Sequence, residues 1–298
     1  MIPEYPKFKQ LGIEDKDLIS RHLKLAARNI CELCLGNIFI WKGSDNIQLT
    51  CINHNICMLL SQPNEPPYFL EPLSHHKLAE TLDIMLKHIG RISRASAGFV
   101  SRLAEEKYKA TPLRNQFDYI YATKDLAELK GRKFDGKRNH IKRFKVKFPG
   151  YEFIPLTADL KKEALTLFEK WFKVREESRF FPRLAHVAQR SAVSLAFSDF
   201  GLLDLFGGAL LIEGKLKGFA LGSRLNPETV AVHFLYSDPT LPGIFQTILH
   251  EACGSVFSGF KHVNLEQDMG IPGLRTAKLS YHPLKLEEKF EVKFREVS

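Results

Sequence analysis

Residues 264–283 read NLEQDMGIPGLRTAKLSYHP and combine two acids, a Gly-Ile-Pro-Gly turn signal and a run of basic and hydroxyl side chains. The preceding HVNL predicts a short buried strand, and the following LKLEEKFEV alternates as a strand does. The polar residues therefore lie in a loop and short helix at the carboxyl end of a strand, where ligand sites are common in α/β proteins. The alternative is a surface turn held by ion pairs.

The composition is that of a globular protein. The 298 residues, 44% hydrophobic and 26% charged, are enough for two domains with separate cores. The sequence contains no run of eighteen apolar residues, and the N-terminal MIPEYPKFKQ lacks the apolar core of a signal peptide. We therefore expect a cytoplasmic location.

Positive charge is concentrated in one segment. The net charge is +9, and residues 130–147 contain nine Lys or Arg and the single acid Asp135. Phe134, Ile141, Phe144 and Phe148 repeat at helical spacing, which predicts a docked helix over 133–148. Its basic face is suited to tRNA or another anionic ligand, such as a phosphate or lipid head group, and to peripheral membrane contact. The alternative is a solvated helix face.

Five residues in the first quarter of the chain have spacing that zinc ligands can have: Cys31, Cys34, Cys51, His54 and Cys57. The cysteines of this group also lie in apolar surroundings, and free buried cysteines are common in cytosolic cores. We favour the second interpretation and predict no metal site.

The pattern of elements is helix, antiparallel strands, helix, strand, and it occurs twice. In the first half it predicts helices over 15–30, 76–89 and 99–108, with strands over 36–42, 46–51, 55–62, 68–72, 90–94 and from 117. In the second half it predicts helices over 159–176, 182–200 and 241–256, with strands over 151–156, 202–214, 215–225, 230–238, 262–265 and 284–292. This is an α+β layout with a boundary at Phe148-Pro149-Gly150.

Four segments resemble, in order, a bacterial family related to the catalytic C-terminal domain of phosphatidylglycerol lysyltransferases. They are GKRNHIKRF at 136–144, FALGSRL at 219–225, AVHFLYSDPTLPGIFQTIL at 231–249 and DMGIPGLRTAKLSYHP at 268–283. The resemblance implies two tandem GNAT-like acyltransferase domains with mixed, mainly antiparallel sheets flanked by helices. The first would span 1–149, including the basic linker helix 133–148, and the second, 150–298, would contain the site.

The resemblance also implies where a donor binds. In GNAT-like folds the acyl donor lies where the central strands separate, and the next helix receives the cofactor pyrophosphate on its N–H groups. Here that helix begins near Gly243, the one glycine kept from the usual loop pattern, and Pro242 removes a donor. Acyl-CoA is therefore weakly supported as a cofactor and none is required. An aminoacyl-tRNA ester fits the pattern better.

Four residues are candidates for catalysis of such a transfer. His233 could relay a proton near neutral pH, and Glu266 or Asp268 could accept a proton or bind the α-ammonium of the aminoacyl group. Lys278 could stabilise negative charge that develops during the reaction. The alternatives are a hydrogen-bonded core histidine, and ion pairs with Arg275 and Lys278 that order the loop.

Six further residues are expected to bind substrate: Arg138, Asn139, Lys142, Arg275, Ser280 and Tyr281. The first three match the basic motif of the family and suit phosphate contact, and Arg275 suits an acceptor phosphate. One position departs from the pattern that the resemblance implies, because Leu235 replaces an acid two residues after the strand histidine. This departure argues against recognition of a cationic amino acid such as lysine.

Three functions follow from these features. The first is an aminoacyl or acyl transferase that moves an aminoacyl group from aminoacyl-tRNA to a phospholipid or small acceptor. The second is a non-catalytic protein of the same scaffold that binds nucleic acid or anionic lipid. The third is an acyl-CoA-dependent N-acetyltransferase.

Overall fold

The protein consists of two seven-stranded mixed sheets with helices packed against them. A computed structural model describes residues 1–25, 29–63, 65–176 and 183–296, with all side chains in these ranges except those of 175, 176 and 183–185. The strands are β1 Lys9–Gln10, β2 Gln48–Ile52, β3 Asn55–Leu60, β4 Tyr68–Phe69, β5 Ile92–Ser96, β6 Tyr108–Pro112, β7 Asp118–Ala122, β8 Glu152–Pro155, β9 Phe206–Ile212, β10 Lys215–Asn226, β11 Thr229–Ser237, β12 His262–Asn264, β13 Lys285–Glu287 and β14 Lys289–Phe294. The helices are α1 Lys16–Leu25, α2 Leu35–Asp45, α3 Leu78–Ile89, α4 Ala97–Val100, α5 Thr123–Glu128, α6 Asp135–Lys147, α7 Lys161–Glu176, α8 Arg183–Ser198, α9 Ile244–Gly254 and α10 Pro272–Leu279.

Each sheet contains strands from both halves of the chain. The first has the order β1-β2-β3-β4-β5-β14-β6, and the second has the order β13-β7-β12-β11-β10-β9-β8. Strand β7, from the first half of the chain, thus lies in the second sheet, and β14, from the end of the chain, lies in the first. All neighbouring strands are antiparallel except β4/β5 and β11/β12. This confirms the mixed, mainly antiparallel α+β class. The division at 149–150 stays a prediction, and the sheets cross it.

The strand predicted over 36–42 is wrong, because these residues belong to helix α2. The helix buries Gly36, Ile38, Phe39 and Ile40, so it is covered on more than one side. A short apolar run of this kind has no clear 3.6-residue period and resembles a buried strand in sequence. The correction matters for function because α2 forms one wall of the site.

Other predicted element boundaries also differ from those in the structure. The helix predicted over 99–108 is the single turn α4, and Tyr108 begins β6 because β14 pairs with it along Tyr108–Pro112. The strand predicted over 284–292 is two strands, β13 and β14, in different sheets. The predicted helix over 15–30 is observed as α1, and residues 26–28 and Pro182 lie outside the described residues. Within the described residues, none of the helices is both long and apolar enough to cross a bilayer.

Candidate active site

The site lies where the second sheet opens. Strands β11 and β12 are paired in parallel from Thr229 to Ala231, and from there β11 pairs with β10 alone. The chain after β12 instead follows β7, since Tyr119 exchanges backbone hydrogen bonds with Leu265 and Glu266. The two strands therefore diverge, and the gap between them is open to a ligand.

A β-bulge points His233 toward this gap. The register of β10 and β11 shifts between the pairs Leu221–Phe234 and Gly222–Val232, which leaves His233 as the extra residue of β11. Bulges of this kind redirect a side chain. His233 Nδ1 lies 2.9 Å from Glu266 Oε1, so the imidazole and the carboxylate bridge the gap.

The contacts of this pair decide which group meets a ligand. His233 Nε2 lies 2.8 Å from Ser223 Oγ, and the His233 side chain is fully buried. Glu266 uses Oε1 for both His233 and Asn37 Nδ2, which donates at 3.0 Å, and its side chain is 16% exposed. Its Oε2 has no hydrogen-bond partner among the described residues. Glu266 is thus the member of the pair that can contact a substrate, with His233 behind it.

Lys278 fixes the loop that carries Glu266. Its ammonium donates to the carbonyl oxygens of Leu265 at 2.6 Å, Glu266 at 3.0 Å and Gln267 at 2.6 Å. These three bonds use all of its donors. Burial lowers the pKa of Lys278 to about 8. The same loop holds Glu266 in a left-handed conformation with φ of 58°, which is costly for a residue with a side chain and needs such support.

Asp268 anchors the far end of the loop. It is fully buried and accepts hydrogen bonds from Arg275 Nε at 2.8 Å, Tyr119 Oη at 2.6 Å and the Gly270 amide at 2.8 Å. Burial alone would raise the pKa of Asp268, but these three bonds hold it well below its usual range. Asp268 and Arg275 therefore form the loop-ordering ion pair that the sequence left as an alternative.

Helix α2 brings a glycine against the histidine. A Cβ on Gly36 would lie 2.3 Å from Ser223 Oγ and 3.0 Å from His233 Nε2, distances that real Cβ atoms do not tolerate without movement of the neighbour. Cys34, just before α2, adds a contact of 3.0 Å between its Sγ and Ser223 Oγ. The first half of the chain thus completes the surroundings of His233.

We expect Gly36→Ala to lower the free energy of unfolding by about 1–3 kcal/mol and to slow any reaction at the site, because the new methyl group displaces Ser223 or the helix. Gly43→Ala is the matched control in the same helix, since among the described residues no atom beyond its chain neighbours and the backbone of α2 lies within 4 Å of a Cβ there. That variant should be neutral or more stable by up to about 1 kcal/mol. Urea unfolding measures both changes, and equal stability of the two variants would contradict the close contact at Gly36.

The protonation of His233 gives a second prediction. Burial by itself would lower its pKa, but the neighbouring Cys34 sulfur and Glu266 carboxylate outweigh burial and raise it from 6.5 to about 9. Because the folded state binds this proton more tightly, the stabilisation is complete below the unfolded pKa and is lost as the pH rises to about 9. The stability difference between wild type and His233→Asn should shrink by on the order of 3 kcal/mol from pH 6 to pH 9.5.

Urea unfolding at the two pH values measures this difference. His262→Asn, on the partly exposed first position of β12, is the control for loss of a histidine and should retain the pH dependence that the buried His233 gives wild type. A difference between wild type and His233→Asn that is independent of pH would show that His233 is not charged in the folded protein.

A buried charge cluster lies beneath the loop. Lys289 Nζ of β14 is 2.6 Å from Asp118 Oδ1 of β7 and 2.5 Å from Glu32 Oε2. Asp118 Oδ2 also accepts from Asn264 Nδ2 at 2.9 Å and from the Cys31 amide at 2.7 Å. Burial alone would lower the pKa of Lys289, but Asp118 and its neighbours hold it above its usual range. The cluster links the two sheets and, through Asn264, supports the start of the loop.

The residues with the spacing of zinc ligands do not come together in one site. Cys51 and Cys57 lie on β2 and β3, whereas Cys31 contacts Asp118 at 3.3 Å and Gln267. Within the described part of the chain, the group with metal-ligand proximity is Cys31, Glu32 and Asp118, and the Lys289 ammonium already lies among its ligand atoms. A cation held by the chain itself thus takes the position that a metal would need.

Above the loop lies a cavity of about 620 Å³, which is large enough for a small-molecule ligand. Its lining includes Glu266, Lys278 and Tyr281, and also Glu32, Asp45, Gln62, Glu65, Tyr68 and Arg94. One face of α2 lines it through Asn37, Ile38, Trp41, Ser44 and Asp45. Leu235, which replaces the expected acid, also lines this cavity.

Of the other residues predicted to bind substrate, some are held by hydrogen bonds or packing within the protein and others are exposed. Arg138 donates to the Leu129 and Gly131 carbonyls and pairs with Asp135, so it closes the start of α6. Ser280 accepts from Lys137 Nζ at 2.6 Å. Tyr281 is buried under the Lys137 ammonium, 4.0 Å from its ring centre, and its hydroxyl has no hydrogen-bond partner among the described residues. Asn139 and Lys142 are exposed on α6.

Gly243 has a packing role in this structure. It caps α9 with φ of 87°, and a Cβ there would lie 2.5 Å from the His140 carbonyl oxygen of α6. Helix α6 therefore packs directly against the start of α9, where a pyrophosphate would bind in the pattern that the resemblance implies. A glycine is required by the conformation and by this close approach.

Sequence reasoning missed the contributions of Asn37, Ser223 and Cys34, and also the acids Glu32 and Asp45. No local signal marks them, because the sequence pattern around each one predicts only secondary structure or burial and does not indicate a binding site. A correct assignment of α2 as a helix would have placed Asn37 and Asp45 on one face at positions i and i+8.

The fold is of the mixed α+β, GNAT-like class, and the opening in its second sheet contains the acid–imidazole pair of Glu266 and His233. The chain belongs to the family described as phosphatidylglycerol lysyltransferase, C-terminal, whose sequence model matches residues 23–293. This confirms the family resemblance and the fold that it implies.

Three solved structures are similar over nearly the whole chain. A conserved protein of unknown function from Bacteroides thetaiotaomicron is 30% identical, with a TM-score of 0.87 over 99% of this chain and 100% of its own. The C-terminal domain of a putative lysylphosphatidylglycerol synthetase from Agrobacterium fabrum is 13% identical, with a TM-score of 0.65 over 95% and 92%. L-PGS from Bacillus licheniformis is 14% identical, with a TM-score of 0.64 over 100% and 95%. At these identities the last two support the fold alone.

Proposed function

We propose that this protein transfers an aminoacyl group from aminoacyl-tRNA to a hydroxyl group of a phospholipid. The observation that carries the proposal is the Glu266 carboxylate, held at the sheet opening by His233 and Asn37 with Oε2 accessible from the cavity. Membership of a lysyltransferase family supports the class of reaction.

The chemistry requires little from the protein. The acceptor oxygen attacks the carbonyl carbon of the aminoacyl ester and loses its proton to Glu266 Oε2. The ester bond to the ribose then breaks, and the ribose oxygen takes up a proton. Because one ester replaces another, positioning and proton transfer are the main contributions, and proton transfer typically contributes a factor of about 10²–10⁴ in rate.

Two features support tRNA rather than coenzyme A as the donor carrier. Helix α6 packs against the start of α9 at Gly243, which leaves less room there for a pyrophosphate. The outer face of α6 meanwhile exposes a group of cationic side chains, which suits a polyanion. They are Lys142, Arg143 and Lys147.

An amphiphilic acceptor is supported by the rim of the cavity. Phe245 and Met269 line it and are 38% and 49% exposed, and Leu279 of α10 is 44% exposed. Apolar side chains exposed beside a basic helix suit a ligand or surface with acyl chains and an anionic head group.

The test is a transfer assay with a pool of tRNAs charged with labelled amino acids, phospholipid vesicles containing phosphatidylglycerol, and the full chain. Label should move to the lipid, and added coenzyme A should not compete. Lys142→Glu should weaken tRNA binding and reduce its salt dependence, whereas Lys293→Glu on β14 should not. Salt-sensitive tRNA binding without transfer to any acceptor would contradict the proposal and favour a non-catalytic binding protein.

A further inference from the structure

We propose that the turn of residues 279–284, together with the basic start of helix α6, is a docking surface for an anionic lipid bilayer. This surface lies outside the cavity and binds the bilayer as a whole, whereas the site in the cavity acts on single acceptor molecules. The inference rests on the proposed function for its purpose, which is to bring the protein to its lipid acceptor. Its direct test is a binding measurement that needs no transfer.

Two leucines of the 279–284 turn are exposed to solvent. Leu279, the last residue of α10, is 44% exposed, and Leu284, at the other end of the turn, is 62% exposed. Neither belongs to the described residues that line the cavity, so a ligand inside the cavity does not account for them. Large apolar side chains that are exposed close together mark surfaces that bind proteins or membranes.

The backbone of the turn holds these leucines in place. The His282 amide donates to the Leu279 carbonyl oxygen at 2.9 Å, and the Leu284 amide donates to the Ile120 carbonyl oxygen of β7 at 2.7 Å. His282 has φ of 53°, a conformation that a residue with a side chain rarely adopts. A costly conformation between two exposed apolar side chains supports a functional role for this turn.

The turn lies at the edge of the molecule and close to the rim of the cavity. It precedes β13, which is the edge strand of the second sheet. Leu279 follows Leu274, which lines the cavity, by five residues of α10, or about 8 Å along the helix axis. Phe245 and Met269, which are partly exposed, also line the cavity. A bilayer bound at the turn would therefore lie beside the exposed rim.

The start of α6 packs on this turn and brings basic side chains to it. Lys137 Nζ donates to Ser280 Oγ at 2.6 Å, and His282 Nε2 lies 3.3 Å from the Lys133 carbonyl oxygen. These contacts come from both ends of the first turns of α6 and from the middle of the 279–284 turn. The cations and the exposed leucines therefore belong to one surface.

Positive charge dominates this part of the surface. Arg132 and Lys133 are exposed and Lys137 is partly exposed. Among the described residues, Arg132 and Lys137 have no acidic side chain within ion-pair distance, and Lys133 has only Asp125, at 3.8 Å. Residues 130–147 contain nine Lys or Arg and one acid, so the field around the turn is positive and attracts an anionic surface.

The combination of the two features selects the partner. A polyanion such as tRNA would pair with the cations but would leave the leucines in water. An apolar protein surface would cover the leucines but would bury the cations without a counter-charge. An anionic bilayer satisfies both, because apolar side chains enter the boundary between head groups and acyl chains while Lys and Arg remain at the level of the phosphates.

The first test is co-sedimentation of the full chain with vesicles. One set contains phosphatidylcholine alone, and the other contains equal amounts of phosphatidylcholine and phosphatidylserine, which is anionic but lacks the glycerol head group of phosphatidylglycerol. We expect the anionic vesicles to bind about tenfold more tightly or better, with an affinity that falls as salt is added. Binding to phosphatidylglycerol vesicles alone would show recognition of one head group and would overturn the inference.

The double variant Leu279→Gln with Leu284→Gln should lower the affinity for the anionic vesicles by about tenfold to a hundredfold. Its unfolding midpoint and its affinity for tRNA should match those of wild type, since both side chains are exposed. Leu202→Gln is the control, because Leu202 is 48% exposed and precedes β9, near the opposite end of the second sheet. Unchanged vesicle affinity in the double variant, or an equal loss of tRNA affinity, would overturn the inference.

Insertion into the bilayer can be observed directly with Leu284→Trp. This variant should keep the vesicle affinity of wild type, and brominated phosphatidylcholine in the vesicles should quench the fluorescence of the new indole. Leu202→Trp should show no added quenching. The same result for both tryptophan variants would overturn the inference, because the turn would then not enter the bilayer. Arg132→Glu should weaken vesicle binding and reduce its salt dependence.

The transfer assay separates this inference from the proposed function. The double leucine variant should transfer more slowly to phosphatidylglycerol in vesicles, by about tenfold, but at the wild-type rate to short-chain phosphatidylglycerol dispersed as monomers. An equal loss with both acceptors would contradict a docking role. Vesicle binding as expected, with no transfer by wild type to either acceptor, would count against the proposed function alone.

Discussion

Glu266→Gln is expected to lower the rate of aminoacyl transfer by about 10²–10⁴-fold, because it removes the group that accepts the proton of the acceptor hydroxyl. The amide keeps the size of the side chain and an oxygen that can accept hydrogen bonds from His233 and Asn37, so the loop should keep its position. The loss should therefore appear in kcat, with a smaller change in KM. A single-turnover assay with a labelled aminoacyl-tRNA measures it.

The matched control is Glu228→Gln, which changes an exposed acid at the β10–β11 turn that pairs with Lys261. That variant should transfer at a rate within about twofold of wild type, since exposed ion pairs contribute little. His233→Asn should lower the rate less than Glu266→Gln, because His233 acts by positioning and by charge behind the carboxylate. A Glu266→Gln variant with the wild-type rate would place the proton acceptor elsewhere.

Lys289→Met is expected to lower the free energy of unfolding by about 3–5 kcal/mol. The change leaves the buried carboxylates of Asp118 and Glu32 without the cation that lies 2.6 and 2.5 Å from them. Removing one member of a buried ion pair has this large effect because the remaining charge is uncompensated. Asp118 and Lys289 lie in different sheets, so the change also loosens the contact between the sheets.

Lys293→Met is the control on the same strand, where the lysine is 52% exposed and pairs with Glu291. It should change stability by less than about 1 kcal/mol. The double variant Asp118→Asn with Lys289→Met should recover part of the loss, since it removes one of the two buried carboxylates that lose their cation. Urea unfolding at neutral pH measures all three, and equal stability of the two single lysine variants would contradict the buried cluster.

The loop after β12 could be predicted from local sequence to a useful degree. The short strand His262–Asn264, the turn residues and the helix that begins at Pro272 all follow from short-range pattern and turn chemistry. The presence of Glu266, Asp268, Arg275 and Lys278 in one site also follows, because these residues are close in the chain. Their separate roles do not, since these depend on which donors and acceptors the fold places opposite each one.

The wall opposite the loop was not predictable in this way. Asn37 and Glu266 are 229 residues apart, and Asp118 and Lys289 are 171 apart, yet each pair is within hydrogen-bond distance. Helix α2 was mistaken for a strand because burial on several sides removes the periodicity that distinguishes a helix.

By itself, then, the sequence determined the family, the α+β class and the position of the loop with the candidate site. The tertiary structure decided that Glu266 rather than His233 meets the cavity and that Lys278 and Asp268 order the loop. The physical reason is that secondary structure and turns depend on neighbours in the chain. Burial, pKa and hydrogen-bond partners depend on neighbours in space.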